Sequence, residues 1–164
     1  MAATIIVEDG TNVTNANSYV SVSDFTAFLD ERNLTLSGSY DEEDLLILAM
    51  DYVDQLEFKG SKRRYDQSLQ WPRVNVYLDS YYNDVDNIPT ELKNGLMQAA
   101  YAIDSGNDPL QVGPRKTVRE KVGEIEVQYA TGSSSVEIDR KIRFLLRKLL
   151  KGGSGMGNMT VGKG

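Results

Sequence analysis

Few residue types in this chain of 164 could carry out covalent or acid–base chemistry, and their spacing narrows the choice further. There is no histidine, so the usual general base and the usual transition-metal ligand are missing. There is no cysteine, so thiolate sites and disulfides are excluded as well. Carboxylates remain, in two clusters. Asp41, Glu42 and Asp44 open an apolar run, where they suit the positive end of a helix dipole better than a catalytic or metal-binding role. Asp79 to Asp86, DSYYNDVD, has the acidic spacing of a cation loop but lacks the glycine and closing glutamate of an EF-hand. The expectation is a protein with no catalytic residue, no metal and no cofactor.

Binding chemistry is the other candidate. Lys59 to Arg73, KGSKRRYDQSLQWPR, contains the only tryptophan and a knot of cations. Arg63, Arg64, Tyr65 and Trp71 could form an aromatic and cationic platform for single-stranded nucleic acid. A net charge of −6 and the Trp71-Pro72 pair speak against it. A large ring followed by a residue of fixed φ reads as the anchor of a small core. Lys59, Lys62, Arg63 and Arg64 then serve as cations near a negative helix end. Tyr77, Tyr81 and Tyr82 form a second aromatic group, of the kind common at protein interfaces. The charge is also split. Residues 1–110 hold nineteen acidic and seven basic side chains, a balance of −12, and the remainder balances at +6. Such a division fits opposed surfaces with different partners.

These groups must be positioned by a modest set of elements. An arm, residues 1–17, comes first: AATIIVE reads as a short strand or ordered arm, and Asp9 to Asn17 as a polar loop. Ser21 or Ser23 caps a short helix with Phe25, Phe28 and Leu29 on one face. Ser39 and Glu42 match a capping box ahead of a long helix running to about Phe58. Its apolar stripe is Leu45, Leu48, Ala49, Tyr52, Val53 and Leu56, with Leu46, Ile47 and Met50 beside it, and Gly60 closes it. Val74 to Asn87 reads as a loop. Pro89 opens a third helix with Leu92, Leu96, Ala99 and Ile103 inward, kept thin by Gly95 and its alanines. KTVREKVGEIEVQYAT has strand alternation that changes phase at Gly123, which calls for a bulge or turn. Val118, Val122, Ile125, Val127 and Tyr129 are its pairing positions, expected to meet another chain along an open edge.

The last helix spans roughly Val136 to Lys151. Ile138, Ile142, Leu145, Leu146 and Leu149 form its apolar face, and basic residues including Lys141 surround it. The glycine-rich tail 152–164 is too polar to order without a partner. Its Met156, Met159 and Val161 are the docking candidates, together with Arg140, Arg143, Arg147, Lys148 and Lys151. No run is long and apolar enough for a membrane span, and the N-terminus lacks the features of a signal peptide. The expected fold is mainly α: a small bundle of about four helices with a short β-hairpin or ribbon and extended terminal arms. The expected division is an arm 1–17, a core 18–130, and a basic helix with docking tail 131–164.

At this point a family resemblance emerges. SYVSVSDFTAFLDERN, LLILAMDYVDQL, FKGSKRRYDQSLQWPR, IPTELKNGLMQAAYAI and VREKVGEIEVQYA together resemble the small head–tail connector proteins of tailed phages, also called adaptors or head-completion proteins. Relatives often carry the label DnaT-like single-stranded-DNA-binding protein. The resemblance covers roughly residues 18–130, and QSLQWPR and KVGEIEVQY are its most specific parts. It implies a virion protein of the phage neck, assembled in the host cytoplasm. It further implies a homo-oligomeric ring, typically a dodecamer, docked on the portal protein through the C-terminal helix and tail. The next neck or tail component, a stopper or tail-completion protein, would seat on the far side, where Tyr77, Tyr81 and Tyr82 are candidates. Double-stranded DNA would pass through the lumen without specific binding. The acidic Tyr loop departs from the family pattern.

Overall fold

The computed structural model describes residues 3–107, Pro109 and residues 118–122, 125–129 and 134–152. Helix α1 (Val22–Asp30) begins where the sequence says it should. The Ser21 hydroxyl accepts the Asp24 amide at 3.1 Å, and the Asp24 carboxylate accepts the Ser21 amide at 3.0 Å. This reciprocal pair satisfies two donors that a helix start leaves open. It also holds the Asp24 carboxyl below its ordinary value, through the Ser21 backbone and side-chain donors.

Helix α2 (Glu42–Val53) differs from expectation at both ends. Its N-cap is Asp41, which makes no side-chain cap bond, so the Ser39–Glu42 capping box does not form. Glu42, Glu43 and Asp44 in the first turn supply the dipole partners instead. The helix stops at Val53, not near Phe58. Leu45, Leu46, Ala49, Met50, Tyr52 and Val53 are buried, whereas Leu48, expected inside, is 36% exposed. Gly60 is therefore not a helix cap. Its φ of +68° and the Val74 carbonyl, 2.2 Å from where a Cβ would sit, make it a tight crossing that only glycine fills.

The segment expected to be a loop holds short antiparallel pairings. Strand β1 (Ser61–Lys62) pairs with β2 (Arg73–Val74), and β3 (Tyr77–Leu78) pairs with β4 (Tyr81–Tyr82). Asp79 and Ser80 join the latter two with φ of 50° and 73°, the left-handed pair that a two-residue hairpin turn demands. Helix α3 (Thr90–Asp104) follows Pro89 and stops at Ser105-Gly106, as expected. Strands β5 (Val118–Val122) and β6 (Ile125–Tyr129) form a third hairpin, and α4 (Ser134–Leu146) starts two residues early and ends sooner than Lys151.

The expected mainly α bundle is thus corrected. Among the described residues four helices share the chain with small antiparallel hairpins, a mixed architecture. For β3–β4 the reason is local, tyrosines on either side of a tight turn, whereas β1 and β2 pair across a ten-residue excursion that a loop reading hides.

Helix α3 is the hub, with α2 and α4 both packed on it. Its thinness matters at Gly95, where an added Cβ would lie 2.4 Å from Leu146 Cδ2. Leu92, Leu96, Ala99 and Ile103 are buried as expected. The end of α4 is stitched to the turn after α2. The Lys59 amide donates to the Leu149 carbonyl at 2.8 Å, and the Lys151 amide donates to the Glu57 carbonyl at 2.9 Å. The N-terminal arm is bound as well. Glu8 is fully buried, and its carboxylate accepts the amides of Gly10, Asn12 and Val13 at 2.9–3.0 Å in place of water.

Candidate interaction surfaces

Trp71 and Pro72 belong to the core, as the sequence suggested. Trp71 is 0% exposed and stands edge-on to Phe58 with ring centroids 6.0 Å apart. Its amide donates to the Tyr19 hydroxyl at 3.1 Å, while its indole nitrogen finds no partner among the described residues. The Trp71–Pro72 peptide is cis. Next to it Arg73 is 6% exposed, and its guanidinium donates to the carbonyls of Phe58, Lys59, Gly60 and Gln70 and to Gln70 Oε1. The fork thereby pins the turn after α2 from within. Burial lowers the Arg73 pKa and raises that of nearby Asp54, so desolvation outweighs their mutual attraction. Burial likewise pushes the Tyr19 hydroxyl up, with Asp54 adding to it. Trp71, Pro72 and Arg73 are all buried and make a polar-lined core anchor.

The basic knot before it is also internally engaged. Arg63 bonds to the Asp86 carboxylate and the Gly10 carbonyl, tying arm to loop. Arg64 bonds to Asp66. Tyr65 stands 97% exposed, but Trp71 is sealed away from it. The structure does not bring Arg63, Arg64, Tyr65 and Trp71 onto one platform.

A different aromatic and cationic surface does form. Tyr77, Tyr81 and Tyr82 are 59%, 80% and 51% exposed on the β3–β4 hairpin. Tyr77 and Tyr82 lie opposite each other with rings edge-to-face at 5.5 Å. The Lys148 ammonium bonds to the Asp79 carboxylate at the hairpin turn. That bond lowers the Asp79 pKa and raises that of Lys148. Residues assigned from sequence to different partners, the tyrosines and the basic end of α4, therefore meet on one side of the molecule. Arg140, Lys141, Arg143 and Arg147 are exposed, whereas Ile142, Leu146 and Leu149 are buried.

Phe144 was missed by sequence reasoning. It is 61% exposed, with the Arg147 guanidinium 4.3 Å over its ring. The available signal was its place off the apolar stripe: two residues after Ile142 and two before Leu146, it must point away from the core.

The β5–β6 hairpin pairs Val118 with Tyr129, Glu120 with Val127, and Val122 with Ile125. Its sheet has two strands only, so among the described residues each outer edge lacks a strand partner. Met156, Met159 and Val161 lie outside the described residues.

The comparisons bear on this picture at one point. A family profile described as "Putative DnaT-like ssDNA binding protein" matches residues 3–164. The chain belongs to this family. The match runs from the arm to the last residue, well past the span that carried the resemblance in the sequence. No curated protein and no solved structure matches. Among its described residues this member joins three two-stranded antiparallel pairings to α2 and α4 packed on α3, with α1 against α2.

Proposed function

We propose that this protein is a structural ring component of a phage neck, a head–tail connector that extends the DNA channel below the portal and seats the next tail component. The observation that carries this reading is the β5–β6 hairpin. A lone two-stranded hairpin is marginal in water, and two open edges invite pairing with another chain. Exposed Phe144 and the three hairpin tyrosines add surface that a free monomer gains nothing by displaying. Closed rotational symmetry covers such non-identical faces copy by copy. The role is mechanical: hold neighbours, hold the portal, and leave the lumen open to DNA. Electron microscopy of the full chain, alone and mixed with a candidate portal, tests it. Annular particles are the expected outcome. Compact single copies under both conditions would overturn the reading.

A second reading, single-stranded-DNA binding, is favoured by the family description and by the Tyr77, Tyr81, Tyr82 and Lys148 surface. Stacking rings beside cations is the chemistry such a site uses. Buried Trp71 cannot report it, so the test is fluorescence anisotropy of a labelled oligonucleotide at two salt concentrations. Affinity that falls with salt and with removal of Tyr81 supports this reading. Absence of binding at low salt removes it.

A further inference from the structure

Two helix faces of this chain match each other in spacing and oppose each other in charge. On α4 and the turn just past it the exposed side carries Arg140, Phe144 and Arg147, an apolar ring with a cation four residues before it and three after it. On α2 the outward side carries Asp44, Leu48 and Asp51, an apolar side chain with a carboxylate four residues before it and three after it. Both triplets have the i, i+4, i+7 spacing; on α2 it lines one helix face, and Arg147, one residue past the end of α4, keeps its guanidinium 4.3 Å over the Phe144 ring. Leu48 is 36% exposed, Ile47 beside it is half-buried, and Asp51 is exposed. Among the described residues neither Asp44 nor Asp51 enters an ion pair. Next to this ridge lies a hollow of about 390 Å³ bounded by Ile47, Met50, Asp51, Asp54 and Leu69. Its apolar walls and acidic rim are the counterpart of a ring flanked by guanidinium groups.

We propose that Phe144 of one copy seats in the hollow beside Leu48 of the next copy, with Arg140 and Arg147 against Asp44 and Asp51. The occupant is a second copy of this chain because the charges complement and the triplets share a spacing. The overall division of the sequence, −12 before residue 111 and +6 after it, has the same sense. Each copy offers one donor face and one acceptor face on different helices. Such a heterologous contact repeats until rotation closes it. The inference rests on the ring reading and adds the residues that join neighbours.

Sedimentation of the full chain tests it over a range of concentrations at low salt, with far-UV circular dichroism of each sample. Wild type is expected to form species larger than the 18.3 kDa protomer. The variants R140E/R147E and D44K/D51K are each expected to stay near protomer mass with unchanged helix content. An equimolar mixture of the two regains the larger species, since every junction then joins opposite charges. F144S, which alters one exposed ring, weakens association by about tenfold or more. Assembly of wild type together with undiminished assembly of all three variants would overturn this contact and leave the ring reading standing. A mixture that stays at protomer mass would also overturn it. Wild type that remains a protomer at every concentration would overturn the contact, and the ring reading then stands or falls with the portal mixture.

Discussion

Two aromatic and charged segments lie close together in the sequence and end in opposite environments. Around Trp71 the chain buries its rings and folds a guanidinium inward, where four backbone carbonyls receive it. Around Tyr81, ten residues on, the rings face water and the charges pair across the surface. The difference lies in the turns. Gly60 allows the chain to cross Val74 closely enough for carbonyls to converge on Arg73. The Asp79-Ser80 turn instead throws a hairpin outward, and among the described residues its two-residue strands pair only with each other. One region specifies the fold; the other is available for recognition.

The comparison predicts a graded response to mutation. Arg73→Met should be the most damaging, at about 3–5 kcal/mol, because it strips the donor from a group of buried carbonyls. Urea denaturation measures it, and a loss below about 1 kcal/mol would show that water already serves those carbonyls. Gly95→Ala should cost about 1–3 kcal/mol by forcing Leu146 away from α3, with α4 amides exchanging faster than those of α2. Tyr81→Ser should stay within about 0.5 kcal/mol of wild type while weakening whichever partner the hairpin holds. A large stability loss there would break the contrast between the two regions.

The smallest effect concerns pH. Bonds from Ser21 hold the Asp24 carboxyl below its ordinary value. The stability this confers is complete above the unfolded aspartate pKa and disappears as pH falls through the lowered one. Asp24→Asn should lower the melting temperature slightly at neutral pH, where that contribution is complete, and change it little near pH 2, so that the limb between about pH 5 and about pH 2 flattens.

Much of the helical frame could be read in advance, for physical reasons. Ser21 with Asp24, and the Leu92–Leu96–Ala99–Ile103 stripe, are local signals that tertiary contacts reinforce. Gly95 announced a close neighbour, and Leu146 is there. What could not be read depends on contacts distant in sequence. Arg73 looks like one more cation in a basic stretch until the turn at 58–60 closes around it. Spacing put Leu48 on the apolar stripe and Leu46 beside it, yet in the packed molecule Leu46 is buried and Leu48 is exposed. The hairpin over 118–129 was anticipated, but the pairings β1–β2 and β3–β4 went unseen because two-residue strands have almost no periodicity to detect. The candidate surface was half legible: the tyrosines stood out, but Phe144 did not, and nothing in the sequence placed Lys148 beside Asp79.

The proposal that the C-terminal segment docks on a portal has its own check. A chain ending at Lys151 should lose most of its portal co-purification, and equal retention by both forms would move the anchor away from Met156, Met159 and Val161.

Native mass spectrometry of the full chain over a concentration series asks most directly whether one copy is incomplete. The account predicts masses at integer multiples of 18.3 kDa that stop at a single closed assembly. A spectrum holding only the 18.3 kDa species at every concentration would contradict it.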